Sequence, residues 1–221
     1  MRSLSAVLEN PAAFIRAETA ILAVPHTPEI RLHLAADSSA LWQKTEDELV
    51  TIGLPPPYWA FAWAGGQALA RYILDNPALV VGRRVLDFGS GSGLVAIAAA
   101  LAGSTEVRAT EIDAIARIAI GLNAGVNGVQ LEVGGADVLD DVGGGWDVVL
   151  AGDVCYEQPM ADRVIAWLRR EAATGATVLL GDPGRSYLPK SELVSLATYA
   201  ISTSRDLEDA DVKRTQVWRF A

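Results

Sequence analysis

The chain is poor in the residues that bind metals and cross-link. Its 221 residues include one cysteine and two histidines. One cysteine cannot close an internal disulfide, so a disulfide-held scaffold is excluded and a reducing compartment is expected. Two histidines and one thiol are too few for a structural zinc site, and no metal is expected. A catalytic thiol would want a histidine beside it. His26 and His33 lie far in sequence from Cys155, which therefore reads as a small buried apolar residue. Positive charge is scarce too: 18 Lys and Arg face 27 Asp and Glu, a net charge of −9. Such a chain lacks the basic face that a nucleic-acid backbone requires. No apolar run reaches the ~20 residues of a bilayer-spanning helix. Leu49 to Ala70 is broken by Pro55-Pro56-Pro57 and by Gly65-Gly66, and Leu94 to Ala102 is short. The opening stretch, MRSLSAVLENPAAF, carries one Arg and no apolar stretch of signal-peptide length, so a cytoplasmic, membrane-free protein is expected.

What is present is enough for one sizeable core. Hydrophobic residues make up 51% of the chain, and a protein of this length buries roughly 70% of its unfolded surface. Asn10 to Leu22 reads as a helix opened by Pro11. Ile30, Leu32 and Leu34 alternate with Arg31 and His33 as a strand that leaves His33 at the surface. Ser39 to Val50 reads as a solvent-facing helix. Trp59 to Leu74 has helical spacing, with Gly65-Gly66 as its weak point. From Arg84 onward strands and helices alternate. The expected strands are Arg84–Phe88, Glu106–Ile112, Val129–Val133, Trp146–Ala151 and Gly175–Leu180. The expected helices are Leu94–Ala102, Ala114–Val126, Met160–Ala173 and Pro189–Ala200. Tyr199–Arg205 and Lys213–Phe220 close the chain as two neighbouring strands. The pattern implies an α/β, Rossmann-like, doubly wound sheet of seven strands, mostly parallel, with an antiparallel C-terminal edge hairpin. Residues 1–54 form an N-terminal extension and residues 55–221 the ligand-binding domain, whose crevice opens at the carboxyl ends of the strands. Of the six tryptophans, Trp146, Trp167 and Trp218 are expected in the core.

The sharpest motif is Asp87-Phe88-Gly89-Ser90-Gly91-Ser92-Gly93, where an apolar strand runs into glycines and a helix begins at once. Glycines let the backbone turn tightly and let a ligand approach with no Cβ in the way. The spacing Gly-x-Gly-x-Gly followed by Leu94 departs from the nicotinamide fingerprint Gly-x-Gly-x-x-Gly. Asp87, two residues ahead of the first glycine, repels phosphate and suits an ammonium. Glu111 ends the next strand, where doubly wound folds place an acid on ribose hydroxyls. Asp113, two residues on, faces solvent or caps the following helix. Asp137, after the third strand, can accept from an adenine amine; its plainer role is that of a turn residue. Glycine loop, amine acid, ribose acid and adenine acid together describe S-adenosylmethionine, with S-adenosylhomocysteine as its product.

The stretch from Arg84 to about Asp182 resembles the class I, seven-strand S-adenosylmethionine-dependent methyltransferases. Asp153-Val154-Cys155-Tyr156, just after the fourth strand, matches the Asp-x-x-Tyr/Phe signature of the family 16 protein-lysine methyltransferases. The run Leu54-Pro-Pro-Pro-Tyr-Trp-Ala-Phe-Ala-Trp-Ala-Gly-Gly-Gln67 is similar to the electron-transfer flavoprotein β-subunit lysine methyltransferases and their bacterial relatives. The resemblance implies that Trp63 lies at the cofactor with Asp87, Gly89, Ser90, Gly91, Gly93, Glu111, Asp137 and Gly152. It also implies that Asp153 and Tyr156 serve the acceptor as the catalytic pair. Trp59, Arg185 and Tyr187 are candidate substrate contacts, the last two in the loop after the fifth strand. The implied partner is a protein substrate, with the electron-transfer flavoprotein β-subunit first, met by a monomeric enzyme. A ribosomal protein or a small amine such as a pyridine is a second acceptor class, and a non-catalytic assembly module a third reading of the chain.

Lysine methylation sets its own physical demand. The nucleophile is the neutral amine, and a lysine with pKa near ~10.4 is neutral about one time in a thousand near pH 7.4. Desolvation among aromatic rings lowers that pKa, whereas a bare carboxylate raises it. Asp153 is therefore expected to aim the amine, and Tyr156 to offer a π face to its charge. The bland role of Asp153 is a helix cap.

Overall fold

A computed structural model of the chain describes residues 9–35, 56–141, 144–203 and 210–221. The expected helix at Ser39–Val50, together with Trp42, lies outside them. The described chain runs α1 (Pro11–Glu18), β1 (Ala20–Val24), β2 (Thr27–Leu34), α2 (Ala64–Asp75), β3 (Arg84–Phe88), α3 (Leu94–Leu101), β4 (Glu106–Thr110), α4 (Ala114–Val126), β5 (Glu132–Gly134), β6 (Val148–Gly152), α5 (Met160–Ala173), β7 (Thr177–Asp182), β8 (Leu193–Ser202) and β9 (Val212–Phe220). Seven strands form one sheet in the order β5-β4-β3-β6-β7-β9-β8. The first five pair in parallel, and β9 inserts antiparallel between β7 and β8. The fold class is the one the sequence implied.

Each central strand is buried on both faces, and its residues alternate between two cores. In β6, Val148 and Leu150 join the cluster under α2 and α3, while Val149 and Ala151 join the cluster under α5. α3 is apolar nearly all round because it is covered on nearly every side; Leu94 through Ala99 are all buried. β1 and β2 form a separate two-stranded antiparallel sheet. Ile30, Leu32 and Leu34 of β2 pack into the same cluster as α2 and α3, so the N-terminal segment completes the main core.

Four expectations are corrected. The helix expected over Asn10–Leu22 stops at Glu18, and Ala20–Val24 pairs with β2 instead. The helix expected over Pro189–Ala200 is the edge strand β8. His33 is buried, with Nδ1 3.1 Å from Thr19 Oγ1, and its main-chain N–H donates to Asn123 Oδ1 at 2.7 Å. Trp146 is half-buried just before β6, packed against the edge of the core, with the Arg84 guanidinium 4.9 Å and the Arg108 guanidinium 5.1 Å from its ring; Trp167 and Trp218 are in the core.

The sheet order reverses between β3 and β6. The chain steps outward from β3 to β4 and β5, then crosses back to build β6 and β7 on the other side. The carboxyl ends of β3 and β6 therefore diverge into connections on opposite faces, which opens a crevice above Phe88 and Gly152.

Candidate active site

The crevice contains an open recess lined by the loop Gly89–Ser92, Asp87 and Gly152 together with Phe61, Trp63, Leu94 and Val95. The loop after β3 is held in a shape only glycine takes easily. Gly89, Gly91 and Gly93 have φ of +59°, +53° and +83°, where an L side chain costs about 1–2 kcal/mol. A Cβ on Gly91 would meet no protein atom closer than Gly89 O at 4.0 Å. The missing side chain at Gly91 thus leaves open space above the loop.

Two carboxylates fix this loop. Asp87 is 1% exposed. Its Oδ2 accepts from the Ser90 hydroxyl and from Ala96 N at 3.0 Å. Ala96 is the third residue of α3, whose N-cap is Gly93 and offers no side chain; Asp87 supplies that cap from the neighbouring strand. Burial pushes its carboxyl up to about 7, against hydrogen bonds from Ser90 and Ala96 that pull it down. Glu111 reaches back from the end of β4: Oε2 accepts from Gly91 N at 3.0 Å and Oε1 from Asp113 N at 3.1 Å. Burial raises its pKa as well. Asp113 caps α4, accepting from Ile115 N at 2.8 Å. Asp137 is half-exposed; it accepts from Leu139 N at 3.0 Å and pairs with Arg163 at 3.2 Å, the contacts of a turn residue.

Across the crevice, α2 starts unusually close to the sheet. A Cβ on Gly65 would lie 2.3 Å from Gly181 O, and one on Gly181 would lie 2.1 Å from Gly65 O. Gly152 meets Gly66 in the same way, with Cα 3.0 Å from a built Cβ. The Gly65-Gly66 pair is thus a close-approach surface that seats the helix, and Gly152 serves helix packing as well as lining the recess. Trp63 is the N-cap of α2; its Nε1 donates to Tyr58 O at 2.9 Å. Its ring lies 5.9 Å from Tyr58 and 6.1 Å from Phe61.

Asp153 follows β6 with φ of +61°, the one left-handed non-glycine residue among those described. Backbone strain of this kind, at 1–3 kcal/mol, persists where the surroundings over-determine it. Here they do. Asp153 N donates to Gly181 O at 2.8 Å, Oδ2 accepts from Gly65 N at 2.6 Å, and Oδ1 accepts from Arg185 Nε at 2.6 Å. The cap expected of Asp153 exists, but on α2 rather than on the helix that follows. The Arg185 bond was not legible in the sequence; both residues were singled out, but nothing in the spacing paired them. Tyr156 is 44% exposed, with its ring 5.8 Å from Tyr58. Tyr187 is part-exposed, and its N–H donates to Cys155 O at 3.3 Å. Cys155 is buried, and burial pushes its thiol up to about 12, which makes it inert. Trp59 is corrected: it is 2% exposed, packed with Phe14, Ile15 and Ile115, and has no surface left for a substrate.

The residues fit S-adenosylmethionine. Buried acids with raised pKa values gain from a cationic ligand, the loop is open where a side chain would intrude, and the opposite wall is apolar as an adenosine requires. Comparison with known proteins decides the family. The chain is 39% identical over 216 residues, covering 95% of it and 87% of the relative, to the electron transfer flavoprotein beta subunit lysine methyltransferase of Xenopus laevis. The human protein of that name is 38% identical over 200-odd residues, with 88% of this chain covered and 75% of the relative. The chain belongs to this family. It is an S-adenosylmethionine-dependent methyltransferase of the protein-lysine class. A family model described as ribosomal protein L11 methyltransferase matches residues 68–154. The fold is also that of magnesium protoporphyrin IX methyltransferase from Synechocystis PCC 6803, solved with bound S-adenosylmethionine: 19% identity, TM-score 0.52, 71% of this chain and 78% of that one.

Proposed function

We propose that the chain methylates a lysine ε-amine of the electron-transfer flavoprotein β-subunit. The observation that carries this is the extent of the likeness. A relative acting by name on that subunit is aligned over 95% of the chain, a span long enough to include the segments after β6 and β7. The ribosomal model stops at Val154, so it spans the cofactor loop and Glu111 and omits most of the acceptor side. In the proposed arrangement Asp87, the Gly89–Gly93 loop, Glu111, Asp137, Gly152 and Trp63 hold S-adenosylmethionine. When bound, that cofactor supplies a methyl group carried on a sulfonium sulfur. The chain's own residues bring the amine there and keep water out. Tyr58 and Tyr156 form the rim through which the lysine passes and offer ring faces to its charge, worth about 0.5–2 kcal/mol. Asp153 orients the amine from a backbone it cannot leave, and precise placement supplies much of the rate. The residues 55–221 act as the methyltransferase domain, with β1 and β2 of the N-terminal extension adding Val24, Ile30, Leu32 and Leu34 to its core, as a monomer in the cytoplasm and without nucleic acid or membrane. A single cysteine and a net charge of −9 support that setting. No helix among the described residues is long and apolar enough to cross a membrane.

The test is Asp153→Asn with purified β-subunit and labelled cofactor. Turnover should fall about 100-fold while S-adenosylhomocysteine affinity stays within a few-fold, because the lost charge faces the acceptor. Stability should fall by about 1–2 kcal/mol from the weakened cap and ion pair. Turnover equal to wild type would leave Asp153 a helix cap and nothing more. Label in small amines, with none in the β-subunit, would move the acceptor to the other class.

A further inference from the structure

The acceptor side contains more charge than one orienting carboxylate needs. Asp182, at the end of β7, is 2% exposed. Its Oδ1 accepts from Gly184 N at 2.6 Å and Arg185 N at 2.7 Å, while Oδ2 is buried without a hydrogen-bond partner. Asp153 is buried beside it. Two buried acids thus meet at the carboxyl ends of adjacent parallel strands. The same short loop that Asp182 ties down delivers the Arg185 guanidinium to Asp153, at 2.6 Å from Nε to Oδ1. The main-chain grip on Gly184 and Arg185 sets where the side chain starts, and the ion pair sets where it ends.

A bare carboxylate here would defeat the reaction. It would favour the ammonium form of an arriving lysine and make the nucleophile rarer than it already is. We propose that Arg185 is a positioning residue that neutralises Asp153, so that the acceptor lysine is aimed by this carboxylate without being held as an ammonium. The inference rests on the lysine acceptor argued above and specifies how the site treats its charge. Asp182 anchors the loop that makes the neutralisation possible.

Other titratable groups surround this pair. Asp182 faces it from β7, Cys155 and Tyr156 from the segment after β6, and the charges of Glu157, Glu111 and Tyr58 reach Tyr156 from neighbouring segments. Burial pushes Asp182 up to about 6, and Cys155 and Tyr156 up to about 12. Above pH 7 Asp182 is ionised, and up to pH 9.5 the Cys155 thiol and the Tyr156 phenol stay neutral, so none of these three sets an acid limb between pH 8 and 9.5, where the bound lysine is the group proposed to set it.

The measurement is kcat at saturating β-subunit across that range, since kcat reports groups in the bound complex. In Arg185→Ala the acid limb should move up by about one pH unit, the effect of one uncompensated charge nearby. At pH 8 kcat then falls about tenfold and KM falls with it, because the ammonium is held more tightly; most of the kcat gap closes by pH 9.5. Arg185→Lys, which restores charge without the guanidinium geometry, should lie between. Asp153→Asn/Arg185→Ala should return the limb toward its wild-type position, though at a lower rate. A second readout is independent of turnover. Calorimetry of β-subunit binding to the S-adenosylhomocysteine complex, in two buffers of different ionisation enthalpy, should show fewer protons released by Arg185→Ala than by wild type at pH 8. An equal loss of kcat at every pH, or equal proton release, overturns the proposal and leaves Arg185 a structural contact. No transfer to lysine by the wild-type enzyme would instead overturn the acceptor assignment itself.

Discussion

Asp87 and Gly91 were both singled out in the sequence for a ligand, and the structure gives each a structural duty that pattern alone could not show. Asp87 precedes the glycine loop as an ammonium-binding acid should, yet its Oδ2 also caps α3 in place of the side chain that Gly93 lacks. Its raised pKa, about 7, gives a signed expectation. A group whose folded pKa lies above its unfolded value costs stability as pH rises through that window, because the folded state would rather keep the proton. A cationic ligand reverses this by favouring the ionised form. S-adenosylmethionine affinity should therefore rise between pH 6 and pH 8, with proton release, and calorimetry of Asp87→Asn should show weaker binding with the slope gone. A wild-type affinity flat across that range would take Asp87 away from the ammonium. Gly91 was singled out as open space for a ligand, and its φ of +53° adds a backbone constraint: valine is strained there whatever binds. Asparagine tolerates this conformation, so it separates the two effects. Gly91→Asn should melt close to wild type and bind cofactor at least tenfold more weakly, whereas Gly91→Val should lose about 1–2 kcal/mol as well. Normal affinity in the asparagine variant would make the glycine a turn residue only. Asp137 was singled out by position after a strand; its Arg163 pairing depends on a helix 26 residues later that no local pattern addresses.

Elements were legible where one period dominates and misread where two compete. β3, α3, β4, α4 and α5 fell within a residue or two of expectation because strand punctuation and helical spacing agree there. β8 did not. Its apolar residues Leu193, Leu196, Ala197, Ala200 and Ile201 follow helical spacing, but the register shift between Ser195 and Ala197 shows why. A bulge inserts one residue, breaks the alternation of two, and leaves intervals of three and four that mimic a helix. Pairing with β9 then decides the outcome, and pairing is not local. α1 was overrun for a related reason: no proline or glycine stands between Pro11 and Pro25, and the switch to strand at Ala20 is set by pairing with β2, which is not local. The Gly65-Gly66 pair was taken as a weakness of α2, because the sequence cannot show that Gly181 O lies where a Cβ would go. Gly181→Ala forces backbone against backbone, with no flexible side chain to yield. It should cost about 1–3 kcal/mol or more by overpacking, read as a lower denaturant midpoint, and should weaken cofactor binding because α2 carries Trp63. A midpoint unchanged from wild type would mean that α2 shifts without strain and that the close approach does not seat it.

At the scale of the whole molecule, the net charge of −9 adds to the site's own acids to set how a partner arrives. Asp153, Asp182, Glu111, Asp113 and Glu157 stand at the carboxyl edges of the sheet or just past them, and the atom to be methylated is itself a cation until it loses its proton. A negative field over this edge should steer a lysine-bearing surface toward it and raise the association rate. Salt screens such fields over about 8–10 Å at 0.1–0.15 M, while the contacts inside the crevice are closer than that and shielded from ions. The two kinds of interaction can therefore be separated by ionic strength. Raising salt from 20 to 200 mM should lower kcat/KM for the β-subunit several-fold, mainly through KM, and leave S-adenosylhomocysteine affinity nearly unchanged. Charge-reversal of Glu157, exposed and outside the Asp153–Arg185 pair, should reduce the salt slope without moving the pH limb of kcat. A kcat/KM independent of salt would mean that the net charge serves solubility alone, and that recognition resides in the aromatic rim of Tyr58, Tyr156 and Tyr187.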